Sequence, residues 1–217
     1  MNSRKLFLLL VPIVLAAVVL TLILRPWDTG NAGPAVICLD PGHGGTAAGA
    51  EYDGRLEKDD NLRLALRVRD LLEDSGSELA VVMTRTDDSD VELQKRCDIA
   101  SDAGATLFVS LHRNSGGGEG VETWTMAKPE KADTALAKAI HKRLADAGVS
   151  SDRGVRSGTA ANSDTSYYVL ANTSDIPSCL VEVGFIDSSG DNALFDENFE
   201  AYAAAIADGI LEAAGLK

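Results

Sequence analysis

Positive charge is scarce in this sequence. Twenty Lys and Arg stand against 33 Asp and Glu, for a formal net charge of −13 over 217 residues. Residues 1–33 hold three basic residues (Arg4, Lys5, Arg25) and one acid (Asp28), so the chain from Pro34 onward carries −15. An excess of that sign argues against nucleic acid and against adhesion to anionic lipid or anionic wall polymer. Solubility alone accounts for it equally well. Cysteine is rarer still, with three residues, and no two are spaced like a zinc-binding pair. Cys38 and Cys179 sit in apolar strand-like runs and Cys97 in a helical pattern, so buried single thiols are expected. A Cys38–Cys179 bridge stays open, because sequence does not give their separation. There is no HExxH, which counts modestly against the commonest zinc peptidase design. Internal repeats and low-complexity tracts are also missing.

Leu6 to Leu24 is an uncharged run of 19 residues, close to the ~20 that span a bilayer as a helix. Arg25-Pro26-Trp27 follows it, where a cleaved signal peptide would offer small residues. An uncleaved signal-anchor over residues 1–25 is therefore expected, with a linker over 26–34. Arg4 and Lys5 outweigh Arg25, so the N-terminus stays in the cytoplasm. The expected location is the cell membrane, single-pass, with residues 35–217 on the extracytoplasmic side as one folded domain. A buried core helix is the competing reading, and no packing partner precedes it.

Beyond the linker, strands and helices alternate. Val36–Leu39 is an apolar run stopped by Asp40-Pro41-Gly42, as for a buried strand feeding a loop. Leu62 through Leu72 reads as a helix, and Leu79–Met83 as the next strand. Ser89 to Glu92 matches a capping box opening a helix through Cys97 and Ala100. Thr106–Leu111, Val121–Met126, Tyr167–Leu170 and Cys179–Val183 read as strands. Leu136, Ile140 and Leu144 mark a helix over Glu130–Ala147, and Phe199 to Ile210 line the face of a last one. Val149–Ser166 is rich in Gly, Ser, Asp and Thr and reads as a mobile loop. This pattern predicts a single α/β domain: a mixed sheet of about six strands with helices on both faces, preceded by a transmembrane helix.

Polar residues collect just after the strands, where open α/β sheets keep their sites. The segment Asp40 to Gly45 carries His43, Ser110 to Ser115 carries His112, and Leu180 to Phe185 carries Glu182. Glu57 lies in Leu56 to Leu62. Each has a bland reading. A glycine-rich turn can cradle phosphate, but a histidine occupies this one and no Lys-Ser/Thr follows. Glu57 can simply favour a helix N-terminus. His141, beside Lys142 and Arg143, reads as part of a solvated helix face. Glu182 is the exception, since a carboxylate in an apolar strand is costly without a partner. Two histidines at strand ends with carboxylates alongside strengthen a metal reading, although ligands so scattered do not prove one by spacing.

The segments Val36 to Gly45, Leu56 to Leu62, Thr84-Arg85, Ser110 to Asn114 and Leu180 to Ile186 occur in this order. Together they resemble the zinc-dependent N-acetylmuramoyl-L-alanine amidases of the Amidase_3 family, over about Ala35 to Leu216. The resemblance implies one Zn²⁺ held by His43, Glu57 and His112, with Glu182 as the catalytic carboxylate. Two imidazoles and one carboxylate leave a fourth tetrahedral position open, as in catalytic rather than structural sites. The implied reaction is hydrolysis of the amide between N-acetylmuramic acid and L-alanine in peptidoglycan, for cell-wall or spore-cortex remodelling. A zinc peptidase acting within stem peptides and a catalytically inactive wall-binding protein are the rivals; four competent residues count against the second. Arg113 and Trp124 depart from the family pattern, and Arg113 is a candidate partner for a stem-peptide carboxylate, with packing equally open. In some members a helix blocks the zinc. The composition of Val149–Ser166 instead predicts an open site and no obligatory activator, leaving peptidoglycan and, through the anchor, the membrane as partners.

Overall fold

Side chains alternate between the two faces of a strand, and in this sheet residue parity decides which face each meets. The computed structural model describes residues 33–217. In β1 (Ala35–Pro41), β5 (Leu107–Asn114) and β8 (Ser178–Phe185), the odd-numbered Ile37, Leu39, Val109, Leu111, Val181 and Val183 enter one apolar cluster. The even-numbered Cys38, Phe108 and Leu180 enter another. The odd face is covered by three long helices: α1 (Glu57–Glu73), α3 (Lys131–Asp146) and α6 (Phe199–Ala213). They bring Leu64, Val68, Leu72, Leu136, Ile140, Leu144, Ala203, Ile206 and Ile210 at helical spacing. Gly209 allows α6 to lie close on α3, since a Cβ there would stand 2.5 Å from the Ile140 Cα. The even face is covered by the shorter α2 (Leu93–Asp102) and the single turn α4 (Tyr168–Ala171). That thinner cover leaves the ends of the central strands accessible, and the site opens there.

The sheet runs β4 (Leu79–Met83), β1, β5, β8, β6 (Val121–Thr125), β7 (Asp152–Ser157). The first four are mutually parallel, β6 is antiparallel to β8, and β7 is parallel to β6. A hairpin of β2 (Glu51–Tyr52) and β3 (Arg55–Leu56) leads into α1, and α5 (Ser189–Glu197) follows β8. Pro34–Lys217 is thus one α/β unit with a six-stranded mixed sheet, as expected.

Several expectations need correction. Tyr167–Leu170 is not a strand; backbone bonds Ala171 N to Tyr167 O and Asn172 N to Tyr168 O close a helical turn. A four-residue apolar run carries no period that separates the two. Val149–Ser166 is not all loop, because it contains β7. That strand is polar at the sheet edge, and Val155 is its one large aliphatic residue, so it shows no alternation in sequence. The Ser89–Glu92 capping box does not form: α2 starts at Leu93 with Glu92 as N-cap and no side-chain cap. Glu130 and Asp133 do form one, at the start of α3. His141 is buried rather than solvated, its Nδ1 3.0 Å from Thr123 Oγ1 and its Nε2 2.8 Å from Asp152 Oδ1. All three cysteines are buried free thiols; Cys38 and Cys179 face opposite sides of the sheet, which removes the bridge.

The single-pass membrane location is also corrected. Among the described residues no helix is long and apolar enough to cross a membrane. The Leu6–Leu24 run on which that expectation rested lies outside the described residues, as does most of the 26–34 linker.

Candidate active site

Even parity places Asp40, Ser110, His112, Glu122 and Glu182 on the thinly covered face. Asp40 is buried at the end of β1 and accepts from Thr84 Oγ1 (2.6 Å), Ser110 Oγ (2.7 Å) and Arg96 Nη1 (2.8 Å). The same Nη1 also donates to Pro41 O (2.8 Å) and Nη2 to His43 O (2.7 Å) in the loop that follows, while Nε donates to Val91 O (2.9 Å). Arg85 holds the same loop from its other side through Pro41 O (2.9 Å) and Gly42 O (2.8 Å). Two buried guanidiniums thus fix the backbone that carries His43. They offset the cost of its left-handed φ of 61°, on the order of 1 kcal/mol for a non-glycine residue.

Glu57 is the first residue of α1 and is 5% exposed. Its Oε2 accepts from Ala50 N (2.9 Å), which aims Oε1 at His43 Nε2 (3.2 Å) and His112 Nδ1 (2.9 Å). The two imidazoles lie edge-to-face, 5.0 Å between centroids. Burial pushes the Glu57 carboxyl up, but hydrogen bonds from His112 and His43 outweigh it and hold the group well below the usual carboxylate range. For His112, burial disfavours the cation, and the Glu57 hydrogen bond reverses this into a raised value.

One ligand atom from each of His43, Glu57 and His112 lies within 4.8 Å of the other two. Donors about 2.1 Å from a tetrahedral zinc stand about 3.4 Å apart. The set therefore fits such an ion with small side-chain adjustments. Glu182 is the parallel-register partner of His112 on the adjacent strand and is 9% exposed. Its Oε2 is buried without a hydrogen-bond partner. Burial, reinforced by the Glu57 and Glu122 carboxylates against the pull of His112 and Arg113, raises Glu182 to about 7. A cleft of about 440 Å³ opens over these groups, with Val91, Leu93, Tyr167 and Tyr168 as its less polar wall.

A buried carboxylate beside a two-histidine, one-carboxylate cluster at strand ends suits hydrolysis of an amide. The N-acetylmuramoyl-L-alanine amidase family (Amidase_3) matches residues 37–212. The chain belongs to this family. The sporulation-specific N-acetylmuramoyl-L-alanine amidase of Bacillus subtilis is 34% identical over 183 residues, 83% of this chain and 69% of that protein. The catalytic domain of the amidase CwlV from Bacillus (Paenibacillus) polymyxa var. colistinus superposes with a TM-score of 0.75 at 37% identity, covering 84% of this chain and 99% of that one. An N-acetylmuramoyl-L-alanine amidase of Clostridium difficile 630 gives 0.77 at 28% identity, over 86% and 100% of the two chains. The protein is a peptidoglycan amidase that hydrolyses the bond between N-acetylmuramic acid and L-alanine.

Odd parity turns the Arg113 guanidinium away from the amidase cleft, although the residue itself borders it. Its guanidinium is buried under the thick face, 2.5 Å from Asp60 Oδ2 and 2.7 Å from Asn192 Oδ1, and lies 4.2 Å over the Phe195 ring. It cannot receive a stem-peptide carboxylate; it packs α1 and α5 onto the sheet. Arg113→Leu should therefore cost about 3 kcal/mol, because it strands Asp60 with only Arg55 as counter-charge. Thermal melting should show a fall of roughly 6–12 °C, with KM for muropeptides unchanged in the folded fraction. A specific rise in KM would restore the substrate role. Trp124 also packs: its Nε1 donates to Glu122 Oε2 (3.0 Å) and its ring meets Tyr167 edge-to-face.

Sequence alone points to no role for Arg96, for Gly42 or for Asn61, whose Nδ2 donates to Gly42 O (3.2 Å) and Glu57 Oε1 (3.3 Å). The signal for Arg96 was the parity of Asp40, a carboxylate bound for a buried face and so in need of a cation. Gly42 has none, because its constraint is contact with a distant segment. A Cβ on Gly42 would stand 2.1 Å from His112 Cε1. Gly42→Ala should displace the His112 ring and lower activity at least tenfold with the fold intact by circular dichroism. Wild-type turnover in that variant would show that the ring has room to move.

Proposed function

We propose that His43, Glu57 and His112 hold a single Zn²⁺ and that Glu182 is the proton-transferring carboxylate of this amidase. The observation that carries the reading is one juxtaposition: three ligand atoms of the right types in mutual reach, beside a buried carboxylate oxygen with no partner of its own. When bound, zinc supplies Lewis-acid polarisation of the scissile carbonyl and acidifies an attacking water. Glu182 takes that water's proton as base and delivers it to the leaving nitrogen of L-alanine as acid. In the metal-free protein burial raises Glu182 to about 7, and a cation beside it would bring that value down, toward the form that acts as base. The Arg85 and Arg96 clamp keeps the His43 backbone fixed while the proton moves.

His43 and His112 reach the cleft directly, their side chains 32% and 18% exposed. We read the site as open and turnover as independent of an activating protein. We place the reaction in cell-wall or spore-cortex remodelling, a setting supported by likeness to a sporulation-specific amidase.

One experiment tests these readings together. Purified full-length protein, with no second protein added, should contain about one zinc per chain by elemental analysis. It should release free stem peptides beginning with L-alanine from soluble peptidoglycan fragments, read by mass spectrometry. Fragments cut inside the stem peptide would favour a peptidase, and a metal-free active enzyme would sink the zinc assignment. Activity that appears only after a second protein is added would overturn the reading of independence.

A further inference from the structure

Four residues lie side by side across the thin face of the sheet: His112 on β5, Glu182 on β8, Glu122 on β6 and Arg153 on β7. His112 and Glu182 are register partners, and so are Glu182 and Glu122. Arg153 forms an ion pair with Glu122. Two carboxylates directly opposite on neighbouring strands repel, an arrangement that sheets avoid without a reason. Glu122 is 2% exposed and is absent from the cleft lining, so it does not meet substrate.

What distinguishes the two carboxylates is their partners. Glu122 takes Arg153 Nε on Oε1, with Arg156 Nε 3.7 Å from the same oxygen. On Oε2 it takes Trp124 Nε1 (3.0 Å) and Asn114 Nδ2 (3.2 Å). Glu182, next in the row, has a buried oxygen with no donor from the protein. One of these donors lies beside β8: the Arg153 guanidinium stands 5.0 Å over the ring of Phe185, three residues beyond Glu182. A buried unpaired carboxylate oxygen attracts any free donor, because pairing removes its desolvation penalty. A base held in a salt bridge is a poor base.

We propose that Glu122 is a positioning residue for turnover, drawing the donors of this face onto its own oxygens so that the neighbouring Glu182 carboxylate stays free to move protons. The inference rests on Glu182 being the proton-transferring group. It assigns Arg153 an unusual part: harmless while Glu122 holds it, and inhibitory once released.

The test is a set of full-length variants assayed on soluble muropeptides, with zinc content measured for each. Glu122→Gln should lower kcat at least tenfold, with KM within twofold of wild type and zinc per chain unchanged. Adding Arg153→Gln to that variant should restore most of the lost kcat, because the competing cation is gone. A role in packing alone predicts the opposite, since removing both partners damages the region further. In a Glu182→Gln background, Glu122→Gln should add no further loss. If Glu122→Gln fails to fold, two milder variants decide. Glu122→Asp keeps the charge and Arg153→Gln keeps the collector, and each should retain more than half of the wild-type kcat. A neutral Glu122→Gln, a double variant worse than the single, or a tenfold loss in Arg153→Gln alone would overturn the proposal. Near-normal activity of Glu182→Gln would instead overturn the assignment of the base, which separates the two failures.

Discussion

His112→Ala in the full-length protein will reduce zinc to well below one per chain and leave muropeptide hydrolysis undetectable, and so will His43→Ala and Glu57→Ala. The three side chains form one cluster in which Glu57 Oε1 contacts both rings, so no two of them can close the set alone. Activity by itself would not separate metal loss from misfolding. Thermal shift does. A ligand that binds only the folded state stabilises it by about 4 kcal/mol at a thousand times its Kd. Zinc added to chelator-treated wild-type protein should therefore raise Tm by roughly 8–16 °C, and each variant should show little of that rise. The metal-free proteins should stay folded, because the odd-face core does not involve the site. Acid should release the metal as well. The Glu57 carboxylate contributes stability that is present above its ordinary range near 4.5 and is lost as pH falls through its depressed folded value. Zinc retained at full occupancy in His112→Ala would remove that residue from the ligand set.

The fold was legible in the sequence where burial imposes a period. β1, β4, β5 and β8 are apolar runs between turn signals, and α3 and α6 show their faces at helical spacing, so their limits fall within a few residues of expectation. β7 and α4 were illegible for a shared reason. One is a polar edge strand and the other a single turn, and neither has enough buried positions to display a period. The proposed site residues His43, Glu57, His112 and Glu182 stood out as motif segments, and the roles proposed for them came from resemblance to a family rather than from spacing. The residues around them were not legible, because their partners are distant in sequence: Arg96 lies 56 positions from Asp40, and Arg113 lies 53 from Asp60. Strand parity closes part of that gap. Once β5 is known to place His112 on the thin face, Arg113 must face the opposite side, and its candidacy for substrate could have been dropped before any contact was seen.

Glu182→Gln should lose activity and gain stability at once. On activity, a positioned carboxylate contributes on the order of 10²–10⁴-fold through proton transfer, and the amide that replaces it cannot serve as a base. Zinc content should be unchanged, since Glu182 lies outside the cluster of His43, Glu57 and His112. On stability, burial raises Glu182 from 4.5 to about 7, so the folded protein holds this proton more tightly than the unfolded chain does. The sign follows from linkage. Below about pH 4.5 the group is protonated in both states and costs nothing. Between 4.5 and 7 the unfolded chain releases the proton more readily, and a penalty on folding grows with pH. Above 7 the penalty is complete, about 3 kcal/mol at 1.36 kcal/mol for each pH unit of difference. Gln fills the same volume without charge and escapes that penalty. Chelator-treated Glu182→Gln should therefore melt roughly 6–12 °C above chelator-treated wild type at pH 8. The two should converge near pH 4.5. Zinc should narrow the gap at pH 8, because a cation beside Glu182 favours its charged form. A Gln variant that is inactive yet no more stable at pH 8 would mean that the folded protein solvates Glu182 better than its burial implies. An active one would move proton transfer to another residue.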